Sequence, residues 1–238
     1  MKMADHPFVT FSGEHFLGLG LSLGCGVALV WAAWRARGRW VSQAVRWGLA
    51  GGCVASAVFL VLWWAWAGAP LKYLLPLHLC DLSGLIAPIA LTTGNRLLYE
   101  LLYFWGIGGA TQGLLTPNVS VGFPSIRCVC CFQYHALIVT SALYATVVMR
   151  MRPTGGSLLR AWLLANAYAG VLIPLNLALG TNYMFLLRKP PTPSLLDLMG
   201  PWPWYLVVGD VVALLVMGLC YLPFFALDLR RHRRLSKP

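Results

Sequence analysis

The sequence predicts an all-α fold, a polytopic membrane helix bundle of seven transmembrane helices, and three observations lead there. Of the 238 residues, 59% are hydrophobic and only 11% are charged, whereas a soluble domain is about 25% charged. Apolar runs long enough for a hydrocarbon core of about 30 Å recur seven times. The basic residues gather between those runs rather than within them, so topology accounts for the net charge of +11 and no nucleic-acid partner is expected.

The seven runs cover residues 14–34, 46–67, 74–91, 97–115, 130–149, 158–178 and 204–226. Pro76 and Pro88 fall in the third, Pro174 in the sixth and Pro223 in the seventh. A membrane helix tolerates proline where neighbours re-satisfy the freed backbone groups. The fourth carries Gly106-x-Gly108-Gly109, small residues that permit close helix contact. Before the first run, Met1 to Thr10 includes Asp5 and His6, and no small-residue cleavage site follows, so a cleavable signal peptide is not expected. Residues 1–238 therefore read as a single membrane-embedded domain.

Arginine and lysine set the expected orientation. Arg35, Arg37, Arg39, Arg46, Arg96, Arg150, Arg152, Arg160 and the tail Arg230, Arg231, Arg233, Arg234 and Lys237 fall on one side. Lys2, Lys72, Arg127, Arg188 and Lys189 fall on the other. The positive-inside rule then predicts the N-terminus outside and the C-terminus in the cytoplasm.

With that orientation the polar residues of the spans collect at their outer ends. His15 opens the first span, and His78, Cys80 and Asp81 lie early in the third. Gln112 closes the fourth, Gln133, Tyr134 and His135 begin the fifth, Asn176, Asn182 and Tyr183 close the sixth, and Asp210 lies early in the seventh. No comparable set is expected at the inner ends. Ionisable groups inside a span are costly and usually face a bundle interior or a wet cavity. The pattern predicts a polar cavity on the outer side. The connection 179–203 is the longest, and its prolines 190, 191, 193, 201 and 203 preclude a continuous helix. It is expected to be an extracytoplasmic loop over the cavity, either a lid or a plain cover.

Among these residues Cys80 is the strong nucleophile candidate. A thiol acts as thiolate and needs a base or an electropositive setting beside it. On a continuous helix, at about 100° per residue, Cys80 lies about 200° from His78. Asp81 shares a face more nearly with His78, at i,i+3. The base is therefore sought on another helix, and His135, at the same depth, is the natural partner. Gln112, Asn176, Asn182 and Tyr183 are the available donors for an oxyanion. Cys128-x-Cys130-Cys131 lacks the paired C-x-x-C spacing of a zinc site and reads as packing, so no metal or other cofactor is expected. A transporter or ligand-binding protein could use the same cavity without covalent chemistry, and a scaffold would need no cavity at all.

The segments LPLHLCDLSGL, TPNVSVGFP, FQYHALIV, TNYMFLLRKP and LLDLMGPWPWY resemble, in that order, the bacterial YwaF-like integral membrane family. The resemblance covers most of the chain from the third span onward. That family is distantly similar to the vertebrate transmembrane-protein-one-six-four acyltransferases, which remodel the acyl chains of ether phospholipids. In those, a cysteine in an NPCH motif and a histidine in a QH motif are held to be catalytic. The resemblance maps them onto Cys80 in LHLCD and His135 in QYH, with Asp81 standing where the vertebrate motif has histidine. More distant still are the androgen-induced hydrolases of lipid esters, with threonine and histidine on comparable helices. The resemblance implies a bacterial cytoplasmic-membrane enzyme that transfers acyl groups, with membrane phospholipids or lysophospholipids as partners.

Overall fold

A computed structural model describes residues 6–235, with side chains as far as Leu229; Lys2, Lys237 and the side chains of the tail arginines lie outside the described residues. Seven helices follow one another. They are α1 (Gly13–Arg35), α2 (Trp40–Trp66), α3 (Leu79–Thr93), α4, α5 (Ile126–Val147), α6 (Gly155–Leu179) and α7 (Trp204–Leu235). The fourth is composite, running through Arg96–Leu101, a π-helical stretch Leu102–Ala110 and Thr111–Leu115. All but α3 and α4 are long and apolar enough to cross a membrane.

Of those two α4 lies inside the bundle, while α3 keeps Leu85 and Ile89 at the surface. Leu101 to Gly106 of α4 are buried on every side, as expected of a helix that is apolar all round. Its glycines let it close on its neighbours. A β-carbon at Gly106 would stand 3.1 Å from Ile138 on α5, and one at Gly108 3.6 Å from Val216 on α7. The π-helical register falls in this glycine-rich stretch, and such wide turns are frequent at functional sites. By contrast α1, α2, α6 and α7 present leucine, valine and tryptophan outward, among them Leu21, Leu62, Leu177 and Leu215.

The helices alternate in direction, so two ends form. At one, Arg37 donates to Val147 O at 2.5 Å, Arg46 caps the end of α3 at Leu91 O and Thr92 O, and Arg152 pairs with Asp228 at 2.8 Å. At the opposite end, Phe8 N donates to Ser120 O at 3.1 Å and Pro7 bridges Val121. His15 is fully buried there. It accepts from Phe11 N at 2.8 Å and, through Nε2, donates to Leu114 O at 2.8 Å, which ties α1 to the carbonyl end of α4.

Two sequence expectations change here. The third apolar run starts at residue 74, yet α3 begins only at Leu79, because Pro76 stands just before it and Leu71–Tyr73 form a separate 3-10 turn. The arginine-rich end also has its own buried polar set, which the expectation of polar residues at the other end alone overlooked. Glu100, 1% exposed, accepts from Arg160 Nε at 3.0 Å, from Arg160 Nη2 at 2.7 Å and from Arg96 Nε at 3.1 Å. Those partners come from the start of α4 and from α6, some sixty residues away. Every member of this cluster is paired, so it reads as a clamp.

Candidate functional site

The site is built around the first turn of α3. His78 is the N-cap, with extended backbone (φ −70°, ψ 153°), and its N–H donates to Asp81 Oδ2 at 3.0 Å. This is one half of a capping box, an acidic N3 residue reaching back to the cap. His78 and Asp81 therefore meet through the main chain of His78. Asp81 spends its carboxylate holding the helix start.

The His78 ring is held elsewhere. Its Nδ1 accepts from Met184 N at 3.3 Å, and the ring stands edge-on to Tyr183 at 5.3 Å and tilted against Phe185 at 5.5 Å. An N–H donated to Nδ1 fixes the neutral ring with its proton on Nε2. Because His78 precedes the helix, its helical angle to Cys80 does not apply. The ring points toward the loop because Met184 and Phe185 hold it there.

Those loop residues adopt positive φ angles of 56° and 55°, a conformation costly for non-glycine residues. Asn176, fully buried near the end of α6, over-determines the turn: its Oδ1 accepts from Tyr183 N at 2.8 Å and Thr181 Oγ1 at 2.9 Å, and its Nδ2 donates to Tyr183 O at 3.0 Å. Asn182 does the same on the far side, donating to Arg188 O at 2.7 Å and accepting from Leu187 N and Arg188 N. The Tyr183 hydroxyl donates to Lys72 O. Asn176, Asn182 and Tyr183 thus turn polar groups to shaping the 179–203 loop: the Tyr183 hydroxyl hydrogen is spent on Lys72 O, and Asn176 and Asn182 each spend one of their two amide N–H donors there. Trp202 Nε1 donates to Leu186 O at 3.2 Å, pinning the loop's second half onto its first.

Cys80 occupies the second position of α3. Its neighbours are the unpaired N–H groups of a helix start, which carry partial positive charge. One turn on, Gly84 sits on the same face, and the Tyr134 hydroxyl fills the place where a β-carbon there would be. Tyr134 donates to Asp81 O at a long 3.4 Å, so it lies beside Cys80 and is only weakly engaged.

On α5, His135 Nδ1 donates to Cys131 O at 2.8 Å, one turn back along its own helix, and the Cys131 sulfur lies 3.8 Å from the same nitrogen. A proton on Nδ1 leaves Nε2 as a bare acceptor. That edge faces Gly113 on α4, where a β-carbon would coincide with it. Gln112, one residue earlier, has a half-buried side chain with no hydrogen-bond partner among the described residues. Cys80 and His135 form no direct hydrogen bond. The contact between α3 and α5 runs instead through Tyr134, packed against Gly84 and bonded to Asp81 O.

In the sequence Cys131 reads as packing and Tyr134 as one of the outer polar residues, while Gly84 and Gly113 carry no mark. The i,i+4 spacing of Cys131 and His135 was the available signal for the first. The glycine notches had none, since only the fold shows what fills them.

Compared with curated proteins and with solved structures, the chain matches none. The model of one family does match it, from residue 10 to residue 221. That span contains α1 to α6, the 179–203 loop and most of α7, and with them every residue of the site. The chain belongs to the TMEM164 family.

Proposed function

We propose that this protein is a phospholipid acyltransferase working by covalent catalysis at the outer-leaflet side of a bacterial cytoplasmic membrane, in a YwaF-like branch of its family. The observation that carries the reading is the position of Cys80 at the first turn of α3, with Asp81 turned back onto the cap. A helix start favours an anion at that position. The Asp81 carboxylate, which would oppose a thiolate, is occupied by the His78 N–H.

In the proposed cycle His135 Nε2 takes the Cys80 proton, directly or through one water. The thiolate attacks the ester carbonyl of a phospholipid, forming a C–S bond and a tetrahedral oxyanion. The main-chain N–H groups at the start of α3 are donors for it, with the Tyr134 hydroxyl, released from its long bond to Asp81 O, and the Nε2–H of His78. Collapse breaks the ester C–O bond, and the leaving alkoxide takes the proton back from His135 as lysophospholipid. A second lysophospholipid hydroxyl, deprotonated by His135, then attacks the thioester and releases the Cys80 thiolate, which is reprotonated. Water in that second step gives a fatty acid and makes the enzyme a hydrolase.

The test is to incubate the purified protein with a defined phospholipid, quench in acid and search intact and digested protein for an acyl thioester on Cys80. The adduct should be labile to hydroxylamine and discharge onto added lysophospholipid. Steady acyl exchange with no adduct at Cys80 in the quenched protein would sink the covalent cycle.

A further inference from the structure

Helix α6 turns one row of side chains away from the bundle. Leu159, Leu163, Ile173 and Leu177 are exposed along it, and Asn166 and Gly170, also exposed, fill the two places between. The steps from one to the next are four, three, four, three and four residues, a repeat of 3.5, which is the seam by which one helix packs along another. Lipid asks an apolar face of any outer helix. It does not ask for the asparagine.

Asn166 is the twelfth of the 25 residues of α6. At 1.5 Å per residue it lies about 16 Å from one end of the helix and about 20 Å from the other, in the middle of the hydrocarbon. Its Nδ2 donates to Asp210 Oδ1 on α7 at 2.9 Å and to Trp162 O, one turn back, at 3.1 Å. Asp210 Oδ1 also accepts from Trp162 Nε1 at 2.9 Å. These bonds fix the direction of the amide and leave its Oδ1 with no donor among the described residues. An unmet amide oxygen in hydrocarbon is costly, and lipid head groups do not reach that depth. The donor has to come from a helix that crosses the membrane beside α6.

A second copy of this chain supplies it. Copies share one orientation in the membrane, so two α6 helices meeting on a two-fold axis along the membrane normal run parallel, with Asn166 opposite Asn166 at one depth. An amide is donor and acceptor together. The N–H now on Trp162 O, a carbonyl that already has its helix bond, can turn to the oxygen of the second chain, while the other N–H stays on Asp210. A single asparagine in an apolar seam fixes register in this way. Gly170, one turn on, has open space where a β-carbon would lie, so the two backbones can close there without a side chain between them. A different membrane protein would need its own polar group at this depth, whereas a second copy brings one by symmetry. We infer that α6 is a dimer face, on which a second copy seats along the Leu159 to Leu177 row with the two Asn166 amides bonded to each other.

The experiment uses the full chain in phosphatidylcholine vesicles, with donor and acceptor fluorescent proteins fused at the C-terminus and energy transfer followed as lipid dilutes the protein. Wild type should follow a monomer–dimer curve. Asn166→Leu should shift that curve about tenfold toward monomer, the effect of one interhelical hydrogen bond in a membrane. Gly170→Leu should shift it at least as far, and with open space around position 170 its helix content and thermal unfolding should match wild type. A photo-crosslinking residue placed at Leu163 should give a dimer band, and one at Leu62, exposed on α2, none. A wild type that stays monomeric at every density would overturn the inference and leave the row to lipid or to a different membrane protein. So would a dimer that either variant, folded, leaves intact, or one crosslinked as readily from position 62 as from position 163. Should Asn166→Leu fail to fold because it strands Asp210, Gly170→Leu and the crosslinks decide.

Discussion

The Nε2 edge of His135 on α5 is seated against Gly113 on α4, in the space that any larger residue at 113 would need. Nδ1 is tied to Cys131 O, so the ring cannot turn away without losing that bond. The histidine is held from both edges, by its own helix and by a notch in the next.

Gly113→Ala should therefore leave the bundle folded and move the ring. A displacement of about 1 Å in a catalytic group costs on the order of 100-fold in rate. Acyl exchange should drop by about that factor with helix content near wild type, while thermal stability falls by no more than the overpacking cost of about 1–3 kcal/mol. Gly109→Ala is the control, because a β-carbon there meets only Leu79, at an ordinary 3.9 Å. Equal activity in the two variants would show that the notch does not position the base.

Gly84→Ala should act on stability first. The new methyl collides with the Tyr134 hydroxyl and ring, and Tyr134 is 4% exposed in the core with nowhere to move. Overpacking of this kind costs about 1–3 kcal/mol. The double variant Gly84→Ala, Tyr134→Phe should recover part of that loss, because removing the hydroxyl opens the space the methyl needs. Thermal unfolding in detergent measures both. A double variant no better than the single one would mean that ring and methyl clash through the ring carbons alone.

The sequence carried a good deal of this. Seven apolar runs appear as seven helices, and the polar residues of α3, α5 and the α6–α7 loop do meet at one end. What it could not show depends on partners distant in the chain. Glu100 lies in an apolar run and becomes intelligible only once Arg160 is folded against it. The part Asn176 and Asn182 play in the loop is hidden in the sequence, because most of their partners are main-chain atoms that carry no signature. Periodicity ran α3 straight through His78, since a leucine-rich lead-in reads like a helix until Pro76 is given its weight.

Asn176→Ala tests the structural assignment of that amide. It strands the N–H and C=O of Tyr183 in a buried site, and each unmet buried group costs about 1–3 kcal/mol. A clear loss of thermal stability is expected, with slower exchange arising from disorder in the loop. If stability is unchanged and only turnover falls, the amide acts on the reaction and the loop assignment is wrong.

Orientation is testable with two exposed positions at opposite ends. Leu198 is 84% exposed in the long loop and Trp40 is 80% exposed at the arginine-rich end. In intact cells a membrane-impermeant maleimide should label Leu198→Cys and leave Trp40→Cys unlabelled until the membrane is permeabilised, as the positive-inside rule requires. The reverse pattern would put the Cys80 end in the cytoplasm, and the proposed outer-leaflet substrate with it.

The sharpest test concerns three side chains that the structure treats differently. Cys80→Ala removes little volume and should fold, and Cys80→Ser should fold too. Both should abolish exchange, because a serine hydroxyl needs a far better base than a thiol does. His135→Ala should abolish it as well. The double variant should be no worse than either single one, since residues acting as one unit fail together. His78→Ala belongs to another class. It removes the acceptor of the Met184 N–H and the ring between Tyr183 and Phe185, where two residues at positive φ rely on their surroundings. That variant should release the loop, seen as faster hydrogen exchange over residues 182–188. If His78 also donates to the oxyanion, its turnover should fall further than that of Asn176→Ala, which loosens the same loop without touching the ring. Matching turnover in those two variants would make His78 a loop anchor alone, and full exchange by Cys80→Ala would end the covalent cycle.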